Sequence, residues 1–258
     1  MQLLEVIHKK FRLASVTKAR IMIKSGFVKV NGQVVIRPDT EIGPKDELAL
    51  VEHASRRQRK APFEILFEDD AILVTCKPAG LVVEKFCKQL QDYAPVVLTH
   101  RLDQKVSGVM IFAKSQAVER QLEADWSRFE KLYIALVESK PPKPEGRIES
   151  FLIENKELKV YSTTEIPGAK LAITHYKLLP PLKKGGQGGF SRLEVRLETG
   201  RKNQIRVHMA DIGCPIVGDV KYGAKTAMKG RIALHAYQLS IDHPVSQERM
   251  TFTQEAPF

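Results

Sequence analysis

HRLDQKVSGVMIFAK, residues 100–114, is the stretch that decides how this chain folds. A polar turn carrying an acid, Asp103, with Ser107 and Gly108 behind it, runs directly into the apolar run 109–113. A strand with such a mouth belongs inside a sheet. A carboxylate there is held by a rigid frame and is still reachable, a useful place for a catalytic group. The same acid can equally be a turn former whose oxygens bond nearby backbone amides. Local sequence favours the turn former, so the decision rests on the rest of the chain.

Working outward, EILFED, AILVTC, LYIALVES, LAITHYKLL and SRLEVRLET are further apolar or alternating runs bounded by turn residues, and they predict strands. Ser115 can cap a helix through SQAVERQLEADWSRF, with Val118, Leu122, Trp126 and Phe129 on one face. NQIRVHMADIG predicts a second helix, with Ile205, Met209 and Ile212 on one face and Gly213 as its stop. The expected class is α+β, built on a mixed, mainly antiparallel sheet. KKGGQGG, residues 183–189, reads as a loop between two strands, either touching a polyanion or simply a solvated hairpin end.

Upstream of this module the character changes. The formal charge is +11, and residues 1–60 hold 13 Lys and Arg against 6 Asp and Glu, so +7 of it sits in under a quarter of the chain. Such a concentration predicts a polyanion partner, although charge alone does not separate RNA, DNA and a membrane surface. Ser15 can cap a helix through SVTKARIMIK that Gly26 ends. FVKV, Asn31-Gly32 and QVVI predict a hairpin, and ELALVE a further strand. HASRRQRKAP, residues 53–62, predicts a linker, giving a small domain over 1–52 and a large one over 63–258.

The small module, roughly residues 2–51, resembles the S-four-type RNA-binding domain, the alpha-L fold, through its pattern SxxxARxxIxxGxVxVNG. That resemblance implies RNA contacts by Lys18, Arg20, Lys24 and Lys29; without it, they make an ordinary solvated basic face. The large module resembles the RluA-type RNA pseudouridine synthases. HRLDxxxSGxxxFAK matches their active-site motif, and KPAGLVV (77–83), KLYIALV (131–137), LETGRKNQIRVHMADIGCPIVGDVKYG (197–223) and RIALHAYQLSIDHP (231–244) follow the family's other motifs in order. The likeness implies that Asp103 is the catalytic carboxylate, that Arg206 pairs with it, and that Tyr133 stacks on the uracil or takes its proton. Read without it, Tyr133 is a core tyrosine and Arg206 a surface arginine.

The chemistry implied needs these residue types. Uridine becomes pseudouridine when the N-glycosidic bond breaks, the uracil turns in place and a carbon–carbon bond forms. Breaking the first bond puts positive charge on the sugar, which an ionised carboxylate stabilises or adds to. A guanidinium beside Asp103 would aim it through a charge-assisted hydrogen bond. A base in folded RNA must first be flipped out. The resemblance implies that Arg101, planar and always charged, helps fill the space left behind; read without it, Arg101 is an ordinary phosphate contact.

The chain departs from the family pattern at Val106, where Thr is usual, at Asn203, where His is usual, and at Glu84, where His is frequent. The stretch between KPAG and HRLD is also shorter than is common. The expected target is ribosomal RNA of the large subunit first and transfer RNA second. The alternative is a non-catalytic RNA-binding or ribosome-assembly protein on the same fold. A DNA-binding regulator finds no recognition-helix motif.

No nucleotide, flavin or metal motif is visible, and an isomerisation needs no redox cofactor. Cys76, Cys87 and Cys214 are scattered and read as reduced thiols in a cytosolic protein. No apolar run is long enough for a bilayer, and the first residues lack the order of a secretory signal. The expectation is a cytoplasmic monomer without cofactor.

Overall fold

A computed structural model describes residues 1–11, 15–24, 27–50, 61–180 and 189–258. Its contacts divide the chain into two units, Met1–Lys60 and Ala61–Phe258. Gly26, residues 53–60 of the expected linker and residues 183–188 of the glycine-rich loop lie outside the described residues.

In the first unit the helices α1 (Leu3–Lys10) and α2 (Val16–Lys24) precede the strands β1 (Val28–Val30), β2 (Gln33–Val34) and β3 (Leu48–Leu50). Asn31 and Gly32 both take positive φ, 51° and 78°, the backbone a two-residue hairpin needs between β1 and β2. β3 pairs with the other edge of β1, giving the order β2-β1-β3. Leu3, Ile7, Ala19, Ile23 and Val28 form the fully buried centre. The order is thus helix, helix, hairpin, strand, one helix more than expected. α1 spans two turns and has no side-chain cap; its free amides at Leu3 and Leu4 instead donate to the carbonyls of Thr40 and Pro38. Such a helix is made by tertiary contacts, not by local sequence. Arg20 and Lys24 are exposed and Lys29 is half-buried; the Lys18 side chain is outside what is described.

The second unit runs β4 (Ile65–Glu68), β5 (Ile72–Lys77), α3 (Val83–Gln91), β6 (Val97–Leu98), β7 (Ser107–Ala113), α4 (Gln116–Asp125), β8 (Glu130–Val137), β9 (Glu145–Glu154), β10 (Val160–Thr163), β11 (Lys170–Leu178), β12 (Ser191–Leu197), α5 (Gln204–Asp211), β13 (Leu234–Asp242) and β14 (Arg249–Thr253). Its strands make one eleven-stranded sheet along the path β10-β9-β11-β12-β8-β13-β7-β5-β4, with β14 on β13 and β6 on β7. β7 and β13 are parallel and the other pairs antiparallel, so the sheet is mixed and mainly antiparallel.

β7 explains the unbroken apolar run of the opening motif. Met110 and Phe112 enter one core cluster, and Val109, Ile111 and Ala113 enter a second, so both faces of the strand are covered. Gly108 is fixed by the β7–β13 pairing. It has φ +134°, and a Cβ there would collide with the Ala236 backbone. Residues 107 and 108 are therefore locked against 235 and 236, and the Asp103 turn leaves the sheet from a rigid point.

Two helices differ from expectation. α4 begins as predicted, with the Val118 amide donating to Ser115 Oγ at 3.3 Å, but it ends at Asp125. A 3-10 turn, Trp126–Arg128, follows, and Phe129 is already extended, because Trp126 stacks on His100 at 4.3 Å and its carbonyl accepts from Lys131. α5 is not amphipathic in the usual sense, since each residue from Gln204 to Met209 is buried. Its polar side chains are satisfied inside: Gln204 donates to the Ile173 carbonyl and Thr174, and His208 bridges Thr174 and Ser150. Ile212 caps this helix instead of belonging to it.

Candidate active site

The segment before β7 is tied to it side by side. Thr99 Oγ1 donates to the Ile111 carbonyl at 2.6 Å, and the Ile111 amide donates to His100 Nε2 at 3.1 Å. Burial, and then the nearby Lys131 charge, push the His100 pKa down to about 3, so the ring is neutral and its Nε2 is an acceptor. Leu102 and Val106 are buried on either side of Asp103, and the Val106 amide donates to the Asp103 carbonyl. The backbone is thus pinned on both sides of the carboxylate, whose side chain stays 29% exposed.

A second clamp comes from the KPAG segment. Lys77 is fully buried, and its ammonium donates to the carbonyls of Pro78 and Leu81 at 2.9 Å and more weakly to Gln104 at 3.4 Å. Gly80, at φ +89°, donates to the Gln104 carbonyl at 2.7 Å and accepts from Gln104 Nε2 at 3.0 Å. Burial lowers the Lys77 pKa to about 8, against the opposing pull of the Asp103 charge. The lysine binds the KPAG loop to Gln104, the residue after Asp103.

Arg206 of α5 donates through Nη1 to Asp103 Oδ2 at 2.9 Å and to Asn203 Oδ1 at 2.9 Å. Its Nε and Nη2 form a fork on Asp219, at 2.6 and 2.8 Å. Burial alone would weaken the guanidinium's hold on its proton; the bonds and charge of Asp219, then those of Asp103, outweigh it and raise the pKa. The Tyr222 ring lies 4.8 Å from the guanidinium carbon, and its hydroxyl accepts from Asn203 Nδ2 at 3.0 Å. Asn203 adopts φ +56°, a left-handed conformation that asparagine tolerates, at the start of α5. Every edge of Arg206 is therefore committed. Among the described residues, no hydrogen bond reaches the other Asp103 oxygen, Oδ1.

Tyr133 lies on β8, opposite Ala236 and Val195 in register. It is half-buried, and burial, followed by the Asp103 charge, raises its phenol pKa, so the hydroxyl keeps its proton. Asp103, Arg206 and Tyr133 are thus brought into one electrostatic neighbourhood from three separate elements. Arg101 turns outward, exposed, and pairs with Glu84 at 2.8 Å. Arg20, Lys24 and Lys29 belong to the other unit. Sequence reasoning did not assign roles to Lys77, Asp219 or Tyr222, although KPAG and GDVKYG contain them, because a hydrogen-bond relay among distant residues leaves no local spacing.

The family model described as RNA pseudouridylate synthase matches residues 71–211. Ribosomal large subunit pseudouridine synthase D of Neisseria meningitidis is 31% identical over 93% of this chain and 71% of its own length. An uncharacterized RNA pseudouridine synthase of Bacillus subtilis is 32% identical over 76% of this chain and 68% of its own. Human RNA pseudouridylate synthase domain containing 1 shares the fold, with a TM-score of 0.66 at 24% identity over 77% of this chain and 85% of that one. With the matched motifs carrying the Asp103–Arg206 pair and the sheet that holds it, this chain belongs to the RNA pseudouridylate synthase family.

Proposed function

We propose that this RNA pseudouridine synthase isomerises uridines of large-subunit ribosomal RNA, with Asp103 as the catalytic carboxylate. The observation that carries the role of Asp103 is its asymmetric pairing: Arg206 holds Oδ2, and Oδ1 is left without a hydrogen bond from the described residues at a partly open position. One oxygen is aimed and the other is available to the sugar. As the N-glycosidic bond breaks, that oxygen meets the positive charge at the sugar carbon, either as a counter-ion or by adding to it. Arg206 holds the carboxylate in direction through its charge-assisted hydrogen bond. The uracil turns above Tyr133, whose neutral ring provides a stacking surface and whose hydroxyl is a hydrogen-bond partner. The carbon–carbon bond forms at carbon five, whose proton is then lost to water while the freed uracil nitrogen takes one up, so the isomerisation is proton-neutral.

The ribosomal target rests on relatives named for the large ribosomal subunit, with transfer RNA as the second choice. We read residues 1–52 as an S-four-type domain that holds RNA through Lys18, Arg20, Lys24 and Lys29, consistent with its helices, hairpin and excess charge. Arg101, exposed beside Asp103, is the residue suited to the space left by the flipped base. The chain is taken to act as a cytosolic monomer; among the described residues no helix is long and apolar enough to cross a membrane. The test is tritium release from unmodified large-subunit ribosomal RNA carrying tritium at uracil carbon five. Release that maps to discrete uridines is expected. Tight binding without release from any RNA would overturn the reading.

A further inference from the structure

Beyond the carboxylate centre, one surface of the catalytic unit exposes apolar side chains where economy of folding does not ask for them. The turn joining β9 and β10 is closed by Asn155, whose amide donates to the Lys159 carbonyl and whose Oδ1 accepts from the amides of Glu157 and Lys159. Leu158 sits at its tip, 64% exposed and with φ +59°. That conformation is strained for a leucine and relaxed for a glycine. The side chain buries little, so neither the backbone nor the core explains its identity.

This tip is joined to the catalytic centre. Lys221 Nζ donates to the Leu158 carbonyl at 3.0 Å. Lys221 belongs to the 3-10 turn Val220–Tyr222, which starts one residue after Asp219, the acid that forks onto Arg206. Val220 is 60% exposed, and Lys159 lies 5.9 Å from the Tyr222 ring, the same ring that faces Arg206. Leu158 and Val220, both exposed, thus lie on segments tied together by the Lys221–Leu158 bond, with Lys159 and Lys221 beside them. A patch of two side chains is far smaller than the roughly 800 Å² per partner of a stable protein interface. Cations beside apolar surface, on a segment that reaches the Asp219–Arg206 fork, match a phosphate with its unstacked base.

We propose that Leu158 and Val220 form an apolar rim that packs on a nucleobase flanking the target uridine, while Lys159 and Lys221 take its phosphates. This rests on the RNA reading of the Asp103 site and adds to it a specificity surface. The test uses the full chain, with Leu158→Gly, Val220→Ser and a remote control, Val245→Ser, which is 70% exposed between β13 and β14. The probe is an unmodified large-subunit ribosomal RNA transcript at physiological ionic strength. Leu158→Gly should leave the melting temperature unchanged or raised, because it relaxes the turn, while weakening RNA affinity and raising KM about tenfold, in line with losing one base contact. Val220→Ser should act in the same direction, and Val245→Ser should change neither. Wild-type affinity and KM in Leu158→Gly and Val220→Ser would overturn the proposal, as would a fall in melting temperature that accounts for the loss. Unchanged RNA affinity with loss of a co-purifying protein would overturn it in favour of a protein partner. Failure of the wild-type chain to form pseudouridine would instead strike the catalytic reading, since the affinity comparison reads the rim independently.

Discussion

Asp219 is the residue whose replacement reports most on how the site is built. It is 2% exposed and receives two charge-assisted bonds from Arg206, at 2.6 and 2.8 Å. Asp219→Asn keeps the shape, removes the charge and turns one acceptor into a donor that faces a guanidinium N–H. Breaking a buried pair by removing one partner costs about 3–5 kcal/mol. Asparagine retains one acceptor and Asp103 still balances part of the Arg206 charge, so about 3 kcal/mol is expected, read as a lower urea midpoint at unchanged slope. The functional loss should be separate from this. With its fork gone, Arg206 is free to tilt, and a misplacement of order 1 Å at the reacting centre costs about 10²-fold. Turnover in tritium release should therefore fall roughly 30- to 100-fold under conditions where the variant is folded, with RNA affinity within about threefold because Asp219 is inaccessible to RNA. A variant as stable and as active as wild type would refute the claim that Asp219 aims Arg206. An effect confined to KM would place Asp219 in binding instead.

Three further outcomes follow from the same geometry. Lys77→Met should cost about 2 kcal/mol in denaturant unfolding, because it strips the carbonyls of Pro78 and Leu81 of their donor while relieving a buried charge. The Lys77 pKa falls to about 8 from 10.5, so the unfolded chain binds the proton more tightly and the stability it contributes rises with pH between about 8 and 10.5; the variant should lack that rise in a pH series of melts. His100 is lowered to about 3 from 6.5, so its contribution is present above about 6.5 and is lost as pH falls towards 3. His100→Gln should accordingly flatten the acid limb of stability; an unchanged limb would mean the ring is not held neutral. Gly108→Ala should destabilise by more than about 4 kcal/mol and yield little folded protein by circular dichroism, since its Cβ meets the Ala236 backbone at a positive φ.

How much of this was legible depends on whether the signal was local. Ser115 marked its helix start, and Asn31-Gly32 marked a hairpin, because caps and turns are local chemistry. α3 carries a helical face at Val83, Phe86, Cys87 and Leu90, masked in the sequence by the more distinctive KPAG motif just before it. β9 alternates between exposed and half-buried residues over most of its length, which hides a strand among charges. The burial of Arg206 was not legible, since it depends on Asp103, far upstream, and on β10 and β11 packing against α5. Likewise, Glu84 stood out only as a departure from the family pattern, and the fold shows it paired with Arg101. The motif order led to Asp103, Tyr133 and Arg206; the Lys77 clamp and the Asp219 fork needed coordinates.

The central claim is that Asp103 performs chemistry and does not merely shape the turn. Asp103→Asn retains a side chain of the same size that can still accept from Arg206 Nη1, so the turn and the fold should survive. In tritium release from unmodified large-subunit ribosomal RNA, the variant should show no turnover above background, while binding the transcript within a few-fold of wild type. Pseudouridine formation by Asp103→Asn at a rate near that of wild type would contradict the account.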